Sequence, residues 1–156
     1  MAAEVGRPAP DFTLSGSDNT EAGRRDYSLS DYRGQVVVLV FYPGDHTPVC
    51  TRQLNAYTED IESFEEAGGQ VLAISPQSVH SHDDFSCKQG GFGFPLLADP
   101  DKAVGAAYGI LGPLGFYRRS AFVVDGDGIV RYAHRAVAGL TFRSTSELVE
   151  AVKAAK

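Results

Sequence analysis

Cysteine is scarce in this chain, with two in 156 residues. That is too few for a disulfide scaffold, and in a reducing compartment such a pair reflects redox chemistry, metal binding or simple packing. No second cysteine stands three residues before or after Cys50, so the Cys-x-x-Cys pair of dithiol exchange is absent. Basic clusters are also missing. The 14 Lys and Arg are scattered among 20 Asp and Glu, for a formal net charge of -6, which leaves no electrostatic footprint for nucleic acid or an anionic membrane. The longest apolar run, Val36 to Tyr42, is far too short to cross a bilayer. Met1 to Asp11 lacks the basic start and apolar stretch of a secretory signal. A soluble cytoplasmic protein acting on small neutral molecules or protein partners is the expectation. No repeat, low-complexity tract or linker divides the chain. With 43% hydrophobic and 22% charged content, residues 1–156 are read as a single domain with its own core.

What is present alternates. A short strand is expected at Asp11–Ser15, then a polar stretch through Arg25 and a turn over Ser28–Gly34. Gln35–Tyr42 is apolar on both faces and rich in β-branched residues, the signature of a central strand covered by helices. Pro43-Gly44 ends it. From Thr47 the apolar positions Cys50, Leu54, Tyr57, Ile61 and Phe64 recur at helical spacing, which predicts one helix running to Gly68-Gly69. Gln70–Ser75 is a second buried strand, Ser78–Lys88 a polar helix, and Lys102–Tyr108 a further short helix. Ala121–Asp125 and Ile129–Tyr132 flank Gly126-Asp127-Gly128 as an antiparallel hairpin. Ser146 caps a last helix that has Glu147 early and Lys153 late. A β-α-β-α-β-β-α order implies an α/β class: a thioredoxin-like fold, its central mixed β-sheet flanked by helices on both faces.

The segment Pro43-Gly-Asp-His-Thr-Pro-Val-Cys50 joins the end of the central strand to a helix, where ligands bind in open α/β sheets. With Thr47 as N-cap, Pro48 takes the first helical position, where its missing N–H costs nothing, and Cys50 the third. Unpaired N–H groups and the positive end of the helix dipole then favour a thiolate at Cys50. Lowering a thiol's pKa also blunts it as a nucleophile, so a peroxide substrate needs donors aimed at its O–O bond: the Thr47 hydroxyl, helix N–H groups and a guanidinium.

Phe41-Tyr-Pro43-Gly-Asp-His-Thr47-Pro-Val-Cys50-Thr51 resembles the Pro-x-x-x-Thr-x-x-Cys motif of the peroxiredoxins. Gly6–Leu14, Ser75–His82 and Phe94–Pro100 resemble the family's opening and middle, and Arg119–Asp125 the strand with its active-site arginine. The subgroup most similar is the bacterioferritin comigratory protein, or peroxiredoxin Q, type. The resemblance implies a thiol-dependent peroxidase for hydrogen peroxide and organic hydroperoxides. Cys50 is then the peroxidatic nucleophile, Thr47 a hydroxyl donor, Pro43 a shield over the thiolate and Arg119 the guanidinium. Arg118 is the neighbouring alternative, since adjacent strand residues face opposite ways. No cofactor or metal is implied. Many members of the subgroup carry a resolving cysteine five residues after the peroxidatic one, where this chain has Asn55. Others place it in the following helix, which is where Cys87 falls. Cys87 as resolving thiol, an intramolecular disulfide, and a thioredoxin- or glutaredoxin-like reductant are implied accordingly, with a monomer or weak dimer as the assembly.

Competing readings attach to several of these residues. Cys87 is either the resolving thiol or a packing residue beside Val79 and Phe85, since free cysteines are often buried. His80-Ser-His82-Asp83-Asp84 is read as a solvated helix start rather than a metal site, because no separated pair of ligands has a recognisable spacing. Asp125-Gly-Asp-Gly128 opens like a calcium loop but has Ala136 where the twelfth-position glutamate belongs, which favours a hairpin turn. His46 is a loop residue beside the site, and Tyr42 is either strand core or a wall of the site. At the level of function, the alternatives are a one-cysteine peroxidase met by an external thiol and a non-catalytic redox sensor.

Overall fold

The computed structural model describes residues 3–17, 24–45, 48–112, 115–135 and 143–155. Thr47 and His46 lie outside them. Among the described residues the strands are β1 (Thr13–Ser17), β2 (Arg24–Ser28), β3 (Val36–Phe41), β4 (Gly69–Ser75), β5 (Leu96–Ala98), β6 (Ser120–Val124) and β7 (Val130–Arg135). The helices are α1 (Pro48–Glu59), α2 (Ile61–Ala67), α3 (Val79–Lys88), α4 (Ala103–Tyr108) and α5 (Thr145–Ala154), with a 3-10 turn at Leu29–Tyr32. The strands form one sheet in the order β2-β1-β5-β4-β3-β6-β7. Its centre is parallel (β3 with β4, β4 with β5) and its flanks antiparallel.

β3 is buried along its whole length, and its alternation sorts the two cores. Val36, Val38 and Val40, continued by Tyr42, face a layer built from α1, α2, α3 and α5, with Leu54, Tyr57, Phe64, Phe85 and Leu148 packed on them. Val37, Leu39 and Phe41 face the other side, where Tyr108 of α4 and Phe122 close on Phe41 at ring separations of 5.2 and 5.7 Å. Each fully buried side chain of this kind contributes about 1.5–3 kcal/mol. The two-faced apolar strand thus dictates helices on both faces, the thioredoxin-like arrangement that its sequence implies. No described helix is long and apolar enough to cross a membrane.

Several expected elements differ. The polar stretch before Arg25 ends in a strand: β2 pairs with β1 through polar contacts such as Thr13 with Ser28 and Ser15 with Asp26. β2 is an edge strand and Tyr27 is its one apolar, buried residue, so hydrophobic pattern misses it. The helix expected from Thr47 to Gly68 is two helices, because Asp60 leaves helical geometry at φ -103° and ψ 18°. The apolar spacing runs on through the break, and for that reason periodicity cannot see it. The cap of α5 is Ser144, whose Oγ accepts from the Glu147 N–H at 3.2 Å; Ser146 lies inside the helix.

Candidate active site

The end of β3 delivers the chain to Pro43, and α1 begins at Pro48, whose ring fixes φ for the first helical position. Cys50 follows as the third helical residue, completely buried. Arg119 directly precedes β6, the neighbour of β3, so the sheet carries its guanidinium across to the start of α1. Nη1 of Arg119 donates to Cys50 Sγ at 3.2 Å and to Gln53 Oε1 at 2.5 Å. Arg118 points elsewhere, with Nη2 at 3.5 Å from the Arg135 carbonyl. Strand alternation therefore brings Arg119, not its neighbour, to the sulfur. Pro43 is half-buried at the head of the segment that leads toward α1.

Gln53 and Tyr57 belong to the same construction and were not among the expected site residues. Gln53 stands three positions after Cys50, and Tyr57 four after Gln53, on the buried face of α1. Nε2 of Gln53 donates to Tyr57 Oη at 3.4 Å, and Tyr57 donates in turn to the Arg143 carbonyl at 2.6 Å. Burial pushes the Tyr57 phenol up to about 12, so it keeps the proton it donates. Gln53 is neutral, and it orients the guanidinium without cancelling its charge. The helical spacing of 50, 53 and 57 was the available signal: a glutamine on an otherwise apolar face needs a buried partner.

A cationic donor against a sulfur in the first turn of a helix stabilises negative charge on that sulfur and on an oxygen that comes to lie beside it. The comparisons bear on this geometry. Residues 5–133 match the model of the AhpC/TSA family. Peroxiredoxin-2 of Rattus norvegicus is 39% identical over 83% of this chain and 68% of its own length. The chain belongs to the AhpC/TSA family of peroxiredoxins. A putative peroxiredoxin in the rubredoxin operon of Clostridium pasteurianum is 35% identical over 99% of this chain and 90% of its own. Among solved structures, the reduced 2-Cys peroxiredoxin of Plasmodium vivax superposes with a TM-score of 0.87 at 25% identity, covering 96% of this chain and 94% of that one. Mycobacterium bovis AhpC has the same fold, with a TM-score of 0.89 at 21% identity over 99% and 93% of the two chains. Thiol-dependent peroxidase activity goes with this family.

In this peroxiredoxin the two cysteines differ sharply in setting: Cys50 is buried and Cys87 exposed near the end of α3. The expected solvated start of α3 is corrected by His82, which is completely buried. It joins Phe85 and Ser86 on the inner face of the helix. Tyr42 takes the core alternative; burial first and then Asp45 push its phenol well up. Asp125 spends its carboxylate within the hairpin, accepting from the Asp127 and Ile129 N–H groups and from Arg131.

Proposed function

We propose that this chain reduces hydrogen peroxide and organic hydroperoxides with Cys50 as nucleophile, Arg119 and Thr47 as donors and Pro43 as a shield. The observation that carries the reading is the 3.2 Å contact from Arg119 to Cys50 Sγ. The sulfur attacks one peroxide oxygen, an S–O bond forms and the O–O bond breaks. The departing oxygen takes a proton and leaves as water or an alcohol. Arg119 offsets the charge that develops on the way. Cys50 is left as a sulfenic acid. The Cys87 thiol then attacks that sulfur, an S–S bond forms and water leaves. A thioredoxin- or glutaredoxin-like dithiol returns two electrons and two protons. The scheme places the protein in a reducing compartment such as the cytoplasm, where a dithiol reductant keeps both thiols available. The motifs also support the peroxiredoxin Q type, whose variant members hold the second thiol in the next helix.

Peptide mapping after one equivalent of hydrogen peroxide tests the scheme, together with turnover of Cys50→Ser and Cys87→Ser. Cys50→Ser should consume no peroxide. Cys87→Ser should reduce the first equivalent, then lose thioredoxin-dependent turnover and accumulate sulfenic or sulfinic acid on Cys50. Wild-type turnover by Cys50→Ser removes the scheme altogether. A free Cys87 after oxidation, with normal turnover by Cys87→Ser, replaces the disulfide with an external thiol.

A further inference from the structure

A second guanidinium stands near that of Arg119, and the protein leaves part of it unanswered. The Tyr57 hydroxyl donates to the Arg143 carbonyl at 2.6 Å, and the Tyr57 phenol lies within electrostatic reach of both arginines. The Arg143 side chain is 37% exposed, and its one ion pair among the described residues is long, from Nη1 to Glu147 Oε1 at 3.5 Å. Glu147 is shared, because its other oxygen accepts from the Tyr132 hydroxyl. Arg143 Nε is shielded from solvent and has no hydrogen-bond partner among the described residues.

His134 completes the arrangement. It pairs with Ala121 across β7 and β6, and Arg119, two residues before Ala121, projects to the same side of the sheet. His134 is thus diagonal to Arg119, with about 7–8 Å between Cβ atoms. Its half-buried ring feels Arg143 and Glu147, and burial first and then Arg143 push its pKa below the usual histidine range. The ring is therefore neutral at pH 7 and offers one N–H. No hydrogen bond among the described residues engages that ring. Two guanidinium groups and an imidazole donor share one carboxylate, Glu147, which Tyr132 also holds. A sheltered donor without an acceptor calls for one from outside the chain, and the acceptor that matches a guanidinium is a planar carboxylate.

Resting on Cys50 as the peroxidatic nucleophile, we infer that Arg143 and His134 form a subsite for the carboxylate of an acidic organic hydroperoxide. They are specificity-determining residues that bind the end of the substrate remote from its O–O bond. Arg119 serves the peroxide, while Arg143 and His134 hold the acid. The chemistry at sulfur is unchanged: an S–O bond forms, the O–O bond breaks, and the departing oxygen takes a proton, so the alcohol that leaves is a hydroxy acid.

The test pairs 4-hydroperoxy-4-methylpentanoic acid with its methyl ester, which carries the same hydroperoxide without the charge. Stopped-flow oxidation of the fully reduced protein gives a second-order rate constant for each. Wild type should react about tenfold faster with the acid than with the ester. Arg143→Gln should bring that ratio to about twofold or less, and His134→Phe should lower it to about threefold. Lys153→Gln removes an exposed cation of α5 that pairs with Glu150 at 3.6 Å, and it should keep the wild-type ratio, which separates a local subsite from net charge. Equal rates for acid and ester in the wild type overturn the subsite and leave the Cys50 chemistry in place. So does a wild-type ratio in Arg143→Gln or His134→Phe, or a ratio lost equally in Lys153→Gln. Failure of both compounds and of hydrogen peroxide to oxidise Cys50 removes the peroxidase reading itself. Should Arg143→Gln not fold, NMR of the reduced wild type decides. The Arg143 Nε–H and His134 ring resonances should shift with 4-methylpentanoate and stay in place with 4-methylpentanamide. Resonances that ignore the carboxylate, or that move equally with the amide, overturn the proposal.

Discussion

Arg119 donates to the sulfur of Cys50 although the two residues stand 69 positions apart in the chain. The sheet makes the meeting possible: β3 ends beside the start of α1, and β6 pairs with β3 and begins directly after Arg119. Arg119→Ala should slow peroxide attack roughly 100- to 1000-fold, the usual effect of losing a donor aimed at developing charge. Arg119→Lys should recover little of it, since an ammonium on a flexible stem lacks the fixed plane that aims Nη1 at both Cys50 and Gln53. Stopped-flow oxidation of the fully reduced protein measures both rates. An alanine variant within threefold of wild type rules out the guanidinium as the activating donor.

Gln53 governs where that guanidinium points. Gln53→Ala should slow attack by roughly tenfold, less than the loss of Arg119 itself, and Arg119→Ala with Gln53→Ala should be no slower than Arg119→Ala alone. The same stopped-flow assay run as a double-mutant cycle checks this. Additive losses would mean that Gln53 acts on the sulfur by another route.

The helix caps are separable from the chemistry. Ser78 Oγ accepts from the Ser81 N–H at 3.1 Å at the head of α3, and Ser144 Oγ does the same for Glu147 at the head of α5. Replacing Ser144 by alanine should cost about 1 kcal/mol in urea unfolding, with peroxide attack unchanged. Ser146→Ala serves as the control, since Ser146 lies within α5 and should cost far less.

The readable parts of the fold were those with strong local chemistry. β3 announced itself because every residue is apolar, and the start of α1 because proline and a thiol follow threonine, a residue type that favours helix starts, in one short run. Arg119 was separable from Arg118 only through resemblance, because strand alternation says that one of two neighbours faces the site but not which. Gln53 shares the buried face of α1 with Cys50 and Tyr57, but its partner Arg119 lies 66 residues away, so helical spacing marks its burial and not its role. His82 shows the same limit: its neighbours Asp83 and Asp84 made the segment look solvated. Its acceptors come from Asp45 and Leu97, residues far away in sequence.

The Asp45 carboxyl carries a pH signature. Burial alone would raise it, yet donors from His82, Ser81 and Tyr42 outweigh burial and hold it below the usual carboxylate range. An ordinary unfolded aspartate titrates near ~3.9. With the folded value lower still, the contribution to stability is complete above that range and is lost as the pH falls through the folded value. Asp45→Asn should be less stable than wild type by about 1–3 kcal/mol at pH 7, and the gap should narrow below about pH 4. Urea unfolding of both proteins from pH 7 to pH 3 gives the comparison, and a constant gap would show that the carboxylate form is not what stabilises.

Asn55 provides a test of how far α1 itself must open. It lies five residues after Cys50 within the same helix and donates to Gln89. Five helical residues advance about 7.5 Å along the axis, just past the ~7 Å within which a disulfide can bridge two Cα atoms. A thiol at this position therefore bonds to Cys50 only if the first turns of α1 unwind. Combining Asn55→Cys with Cys87→Ser removes the second thiol from α3 and installs one in α1, at the place where many members of the peroxiredoxin Q type, which the sequence resembles, carry theirs. On the proposed scheme thioredoxin-dependent turnover is lost in Cys87→Ser, and it should return to at least a tenth of the wild-type rate in the combined variant, with peptide mapping showing a bond between positions 50 and 55. Because Asn55→Cys also deletes the clip to Gln89, the combined variant should lose some protection from amide exchange in α1 when reduced. If turnover stays absent and Cys50 accumulates as sulfinic acid, α1 does not unwind on the timescale of the second oxidation, and resolution in this chain depends on motion of α3 instead.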